Sequence, residues 1–400
     1  MQNHPDSTIF IKLPDPEKEH PQPPPRNPTS VVTPTSHLAQ PLTLATLRQN
    51  YEGIVRARSI YYPVAYQLPR LLGRGQQGHV FLGLRQGARG CITENAIKIY
   101  DPALYNTGEE YWTDMGRIAA QISRMQRIQS PNMVARYSYE ETFGIGYVQM
   151  ESIDGLDLMH LMQARNLQVA MTRSTPEEWS KFSQSVFRLD HNVLRLQPGF
   201  VVYLMRGILR GLEQLHKLGF LHFDLKPGNV MVDRLGYVKI IDFGRAVRID
   251  ENISFLFGSP QYMAPETHRL QAGSPQTDLY SLGLIALELL RGEPLTAPDS
   301  TPEELLNAKR TLPARIETLL PPYVAENGSL VRILKNLLAP DPTRRYASAR
   351  DAEVGKDGLI VIDRQLIQAG LDTEYARDLS DYLAKLVDPQ TSRIGSTALV

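Results

Sequence analysis

At 400 residues and roughly 150 residues per domain, the chain has room for two to three domains, which excludes a small scaffold that must be stapled by metal or disulfides. Its 43 lysines and arginines balance 43 aspartates and glutamates, so no net field attracts a polyanion and nucleic acid is not an expected partner. A single cysteine, Cys91, leaves no intramolecular disulfide and no cysteine-rich zinc site. With no signal pattern and no apolar run near the ~18 residues of a membrane span, the chain is expected to be soluble, cytoplasmic and off the membrane.

Ten of the 29 prolines fall within the first 41 residues, among them Pro23-Pro24-Pro25. This composition cannot recover the ~1–2 kcal/mol per residue that backbone ordering costs, so residues 1–45 are expected to be a disordered tail. Such a tail is most often a solvated linker, the alternative being a polyproline II ligand for a partner domain. From Tyr66 onward, β-type runs at 67–71, 79–84 and 96–100 predict a small antiparallel sheet. Residues 109–129 predict a helix, with Ile118, Ile122, Met125 and Ile128 three or four apart and Ser130-Pro131 ending it. Strands are expected again at 134–139 and 145–150.

Beyond Gly155 helices dominate, most strongly at 201–218 and 278–291. Residues 164–198, rich in charge and amide, read as an inserted surface segment in which Thr175-Pro176-Glu177-Glu178 starts a helix. Near the end, 359–362 reads as a β-type run. Residues 373–386 read as an amphipathic helix with Ala376, Leu379, Leu383 and Leu386 on one face. The expected class is α+β, a sheet-rich lobe followed by a larger helical lobe.

The segment Gly73-Arg74-Gly75-Gln76-Gln77-Gly78-His79-Val80 reads G-x-G-x-x-G-x-V between two β-type runs. Glycines let a backbone close over phosphates, since no Cβ obstructs the approach. Alone, the string fits an ordinary glycine-rich hairpin equally well. A dinucleotide loop is disfavoured, because it would lead directly into a helix and here a strand follows. Lys98 ends an apolar strand, where it can reach nucleotide phosphates or sit on a solvated strand edge.

His222-Phe223-Asp224-Leu225-Lys226-Pro227-Gly228-Asn229 follows a helix and Gly219, and Asp242-Phe243-Gly244 lies eighteen residues past Asp224. Phosphoryl transfer needs hard oxygen ligands for divalent cations, a carboxylate to orient the attacking hydroxyl and a cation beside the transferred group. Asp224, Lys226, Asn229 and Asp242 supply those groups.

In this order, the strings resemble the eukaryotic-type serine/threonine protein kinase superfamily over residues 66–350. The resemblance implies a two-lobed fold, with one lobe over 66–152, the other over 153–350 and a C-terminal extension over 351–400. It implies ATP and magnesium (Mg2+) as cofactors and a protein serine or threonine hydroxyl as acceptor. Gly73, Gly75, Gly78 and Val80 would form the phosphate loop, and Lys98 would hold the α- and β-phosphates. Asp224 would be the catalytic base, Lys226 would steady the γ-phosphate, and Asn229 and Asp242 would ligate magnesium. Ala96, Val80 and Met231 would sandwich adenine, with Met150 as gate and Glu151 to Ile153 as hinge. Ser259 stands where a threonine usually bonds the catalytic aspartate and lysine. Asp278 matches the residue that holds the catalytic loop, and Arg345 the buried partner of Glu266.

Two positions depart from that pattern. Gln121 stands where the family pairs its lysine with a helical glutamate. A neutral acceptor for Lys98 in place of a charged one loses about 1 kcal/mol. Alternatively, the register of the helix differs and Gln121 is not at that position, or Asp114 or Glu110 takes the glutamate's role from a displaced helix. On the favoured reading of a tolerated, weaker clamp, Gln121→Glu holds or raises turnover. Phe223 replaces the arginine that commonly meets an activation-segment phosphate, and Ser254 is the only hydroxyl between Gly244 and Gly258, so phospho-activation is not expected. The rival readings are a pseudokinase that binds nucleotide or scaffolds partners, and a kinase-fold enzyme acting on a small molecule.

Overall fold

The structure, a computed structural model, describes residues 42–75, 77–190, 193–249, 251, 258–368 and 374–386. The expected tail therefore lies almost wholly outside the described residues, as does Ser254.

The first element is a helix that the sequence pattern does not predict. Thr43 caps α1 (Leu44–Ala57) by accepting from the Thr46 N–H at 3.3 Å, and Leu47, Tyr51 and Ile54 recur three or four residues apart on its buried face. β1 (Ser59–Ile60), β2 (Tyr66–Gly75), β3 (Gly78–Gln86) and β4 (Ile92–Tyr100) follow, then α2 (Gly108–Met125), β5 (Arg136–Thr142) and β6 (Ile145–Met150). The strands form one antiparallel sheet in the order β1-β2-β3-β4-β6-β5. Alternation along the strands places His79, Phe81, Ile97, Ile99 and Tyr147 on one face, and Val80, Ala96, Lys98, Val148 and Met150 on the other. α1 joins the core of the first face, where the Tyr51 hydroxyl lies 2.5 Å from His79 Nδ1.

The larger lobe opens with β7 (Gly155–Asp157) and α3 (Leu158–Leu161). Residues 164–198 form α4 (Ala164–Arg173), α5 (Pro176–Ser185) and a hairpin of β8 (Phe187–Asp190) and β9 (Val193–Leu196), running into α6 (Pro198–Lys217). Thr175 starts α5 with a full capping box. The segment is no surface appendage, for Leu167, Ala170, Phe182, Phe187 and Leu196 are buried in the lobe's core. Alternating charge hid a stripe that needs a partner helix to cover it.

Next come β10 (Phe220–Leu221), β11 (Val230–Asp233), β12 (Val238–Ile240) and β13 (Val247–Arg248), with β12-β11-β7 and β10-β13 as small sheets. α7 (Pro275–Arg291), α8 (Pro302–Leu319), α9 (Pro322–Ala325), α10 (Gly328–Leu337), α11 (Ala349–Val354), α12 (Ile360–Gln368) and α13 (Tyr375–Leu386) complete the lobe. The β-type run expected at 359–362 is the start of α12: four apolar residues carry no period that separates strand from helix. α13 buries Leu379, Tyr382, Leu383 and Leu386 against α4 and α5, and Tyr382 packs on Phe182 and Phe187. Among the described residues no helix is long and apolar enough to cross a membrane.

Leu47 is fully buried at the seam between α1 and the sheet. Leu47→Ala should lower stability by ~2–5 kcal/mol, read as an earlier urea midpoint. An unchanged midpoint would mean that α1 is not part of the folded lobe.

Candidate active site

The lower half of the site rests on one buried carboxylate. Ser274 and Thr277 cap α7 and place Asp278 in its first turn. Asp278 accepts from the His222 N–H at 2.8 Å and the Phe223 N–H at 2.9 Å, and its Oδ2 lies 2.8 Å from His216 Nε2. Burial alone would raise its pKa, yet His216, His222 and the Phe223 N–H outweigh burial and hold the carboxyl below its ordinary range. Phe223 pays for this attachment with φ of 66°, a conformation non-glycine residues rarely keep without such support. Its ring lies in a small apolar cluster with Leu221 and Val247.

The backbone so held presents Asp224, only 8% exposed. Its Oδ1 accepts from the Ser259 N–H at 2.9 Å and from the Ser259 hydroxyl at 3.2 Å. Lys226 Nζ lies 3.3 Å from Asp224 Oδ2 and donates to Ser259 Oγ at 3.0 Å. Asn229 donates through Nδ2 to the Asp224 carbonyl at 2.7 Å, which leaves its Oδ1 without a donor among the described residues. Gly258, with φ of 104°, brings Ser259 into place, and a Cβ there would fall 3.0 Å from the Phe223 carbonyl.

From the sheet lobe, Lys98 reaches down to Asp242 Oδ1 at 2.5 Å. Burial would push the Asp242 carboxyl up, but the Lys98 charge and hydrogen bond and the Gly244 N–H prevail and hold its pKa at about 2. Lys98 also donates to Gln77 Oε1 at 2.8 Å. The expected Lys98–Gln121 bond is not formed. Gln121, buried on α2, donates through Nε2 to the Ala246 carbonyl, and Arg117 one turn earlier donates to the carbonyls of Gly244 at 2.8 Å and Ala246 at 3.2 Å. Asp114 and Glu110 do not substitute either. Asp114 pairs with Arg117 at 2.7 Å, and Glu110 accepts from the Asn106 N–H at 2.9 Å.

Val80, Ala96 and Met150 share the sheet face of Lys98, with Val80 opposite Lys98 and Ala96 opposite Met150. Met231 lies half-buried on β11, and Ile153 is half-buried beyond β6. Glu151 crosses from β6 with its side chain engaged, 3.0 Å from Lys239 Nζ and accepting from the Ala135 N–H at 3.1 Å. Gly78 must be glycine for the fold itself: its φ is 138° and a Cβ would fall 2.0 Å from the Ile99 carbonyl. A Cβ at Gly73 would meet nothing within 4 Å, so only an approaching ligand would gain from its absence.

These residues fit a magnesium–nucleotide. The Asn229 Oδ1 and the second Asp242 oxygen are hard ligands, and no group of three or more His, Cys, Asp or Glu able to hold a metal occurs among the described residues. Two protein oxygens with phosphates completing the shell is the usual arrangement for magnesium.

A model described as protein kinase domain matches residues 66–353. The chain belongs to the protein kinase domain family. Its curated relatives include the serine/threonine-protein kinase PrkC of Bacillus subtilis, 26% identical over 300 residues, with 72% of this chain and 39% of that protein covered. The serine/threonine-protein kinase Pkn1 of Myxococcus xanthus is 27% identical over 293 residues, covering 71% of this chain and 36% of that protein. This chain thus spans well under half the length of these relatives. Among solved structures, the Mycobacterium tuberculosis PknI kinase domain superposes with a TM-score of 0.50 at 22% identity, covering 75% of this chain and 95% of that one. The two-lobed kinase fold is shared.

Sequence reasoning missed three residues of this kinase domain that border the site. Gln77 was masked by the glycines around it. Arg136, 9% exposed, stacks its guanidinium 4.0 Å from the Phe243 ring centroid, and an arginine within the β-type run at 134–139 gave no hint of burial. Lys309 was legible: it interrupts the buried stripe Leu305, Leu312 and Ile316 on α8. It is fully buried beneath the Gly258–Glu266 loop, donating to the Pro260 carbonyl at 2.6 Å and lying 2.8 Å from His268 Nε2. The same loop is pinned by Glu266, which pairs with Arg345 through both oxygens at 2.7 and 2.8 Å.

Burial pushes the Lys309 pKa down to about 7, with Glu266 opposing, and burial with Lys309 pushes His268 down to about 4. Between pH 7 and about 10.5 the unfolded chain then binds more protons at Lys309 than the folded one, so this residue makes stability rise with pH. The melting temperature of the wild type should climb from pH 7 to 9 more steeply than that of Lys309→Met. Parallel profiles would mean that Lys309 stays charged in the fold.

Proposed function

We propose that this chain is an active serine/threonine protein kinase that transfers the γ-phosphoryl group of ATP to a protein hydroxyl. The observation that carries this reading is the convergence on Asp224: a buried carboxylate, fixed by Ser259, beside Lys226 and the free oxygen of Asn229. ATP with magnesium would supply the transferable group and the neutralisation of its charge. Glu151 to Ile153, Val80, Ala96 and Met231 would hold the base, while Gly73, Gly75, Gly78 and Lys98 would orient the phosphates. Asn229 and Asp242 would hold the metal. Asp224 accepts a hydrogen bond from the substrate hydroxyl and takes its proton as the new P–O bond forms and the bond from the γ-phosphorus to the bridging oxygen breaks, releasing ADP. Lys226, beside Asp224, would steady the γ-phosphoryl group during transfer.

In phosphotransfer assays with magnesium-ATP and a generic protein substrate, Asp224→Asn should lower turnover ~10²–10⁴-fold with nucleotide binding retained. No turnover above that of Asp224→Asn, with ATP binding retained, would favour a pseudokinase. The absence of a glutamate at Gln121 does not favour that rival: α2 is coupled to the segment after Asp242 by donors to main-chain carbonyls, so a glutamate is not needed to seat the helix.

The consequence reverses the sequence-based expectation for Gln121→Glu. A carboxylate cannot donate to the Ala246 carbonyl and would face it with like charge, leaving that carbonyl only its 3.2 Å bond from Arg117. Both melting temperature and turnover should fall. A gain in turnover would restore the weakened-clamp reading. The apolar setting of Phe223 supports activity without an activation-segment phosphate, and Ser254→Ala should leave turnover unchanged.

A further inference from the structure

The Gln77 side chain lies where the chain's own glycine loop, strand lysine and metal-binding loop meet. Its carbonyl accepts from the Asp101 N–H at 2.9 Å, which ties the turn between β2 and β3 to the end of β4. From that anchored backbone the amide reaches inward, and its Oε1 accepts from Lys98 Nζ at 2.8 Å. The amide also lies over Gly244, where an added Cβ would fall 2.3 Å from Oε1 and 3.2 Å from Nε2. The Gly244 position therefore leaves room for this amide. Lys98 is only 5% exposed, and Gln77 and Asp242 together occupy two of its three N–H donors.

We propose that Gln77 is a built-in plug of the phosphate subsite, a neutral acceptor that holds Lys98 in the free protein and competes with nucleotide phosphates for the lysine. The inference rests on the nucleotide reading of the cleft and adds a residue that sets its affinity. A phosphate oxygen and the Gln77 oxygen compete for the same ammonium. Nucleotide affinity is then scaled down to the fraction of molecules that are unplugged, about ten-fold for a nine-to-one population of plugged over unplugged. The competition is confined to phosphates. A ligand that fills only the base pocket has nothing to exchange for the amide.

Calorimetric titration of adenosine and of ATP with magnesium into the wild type, Gln77→Ala and Gln77→Glu tests this without any turnover. Gln77→Ala should bind ATP about three- to ten-fold more tightly than the wild type. Gln77→Glu should bind it at least about ten-fold more weakly, since a carboxylate holds Lys98 harder and repels phosphate. Adenosine should bind all three alike. ATP affinity unchanged or weakened in Gln77→Ala would overturn the plug and make Gln77 a spectator or a phosphate donor. Parallel shifts for adenosine and ATP would overturn it as well, because they would report a general change in the loop. A wild type that binds neither ligand would contradict the nucleotide reading itself, and the plug with it.

Discussion

The ion pair between Lys98 and Asp242 joins the two lobes, and most of the site is arranged around keeping it poised. Buried pairs of this kind add little stability, because removing both charges from water offsets much of their attraction. Its significance lies in position. Lys98 is delivered by a sheet whose other face is closed by α1, and Asp242 by a loop that α2 grips through Arg117 and Gln121. Asp242 itself has φ of 56°, so the loop carrying it is held in a conformation it would not adopt alone. The sheet and the loop, each backed by a helix, thus meet at one contact 2.5 Å long.

Below that contact, fixed charges are replaced by fixed backbone. Asp278 holds the strained turn at Phe223 through two N–H bonds, and the turn aims Asp224 at Ser259 and Lys226. Glu266, Arg345 and Lys309 do the same for the loop carrying Ser259, binding it from beneath. Apolar packing around Phe223 and buried polar struts under Pro260 and Glu266 hold the described parts of this region in place. Such preorganisation is what electrostatic catalysis requires, because donors fixed beforehand need no rearrangement at the moment of transfer.

The chemistry-bearing strings were legible because they are local. Asp224, Lys226 and Asn229 lie within six residues of one another, and a carboxylate, a cation and an amide in that order have few other uses. The strands around the glycine loop were legible too, since period-two alternation survives in a half-buried sheet. What failed was whatever depended on a distant partner. α1 looks like the end of a polar tail until the sheet face it covers is known, and 164–198 looks like surface until α13 is laid against it. Gln121 was assigned an acceptor's role from its place in a pattern, whereas the Ala246 carbonyl makes it a donor. The lysine's second partner came from the glycine loop, where sequence reasoning considered only backbone.

The most direct measurement is a crystal structure of the protein with magnesium and a non-hydrolysable ATP analogue. The expected result places the adenine edge on the main chain of Glu151 and Ile153, a metal on Asn229 and Asp242, and the phosphates on Lys98, with the Gln77 amide displaced from the lysine. An empty cleft at saturating analogue, or a bound analogue whose phosphates bypass Lys98 while Gln77 remains in place, would contradict it.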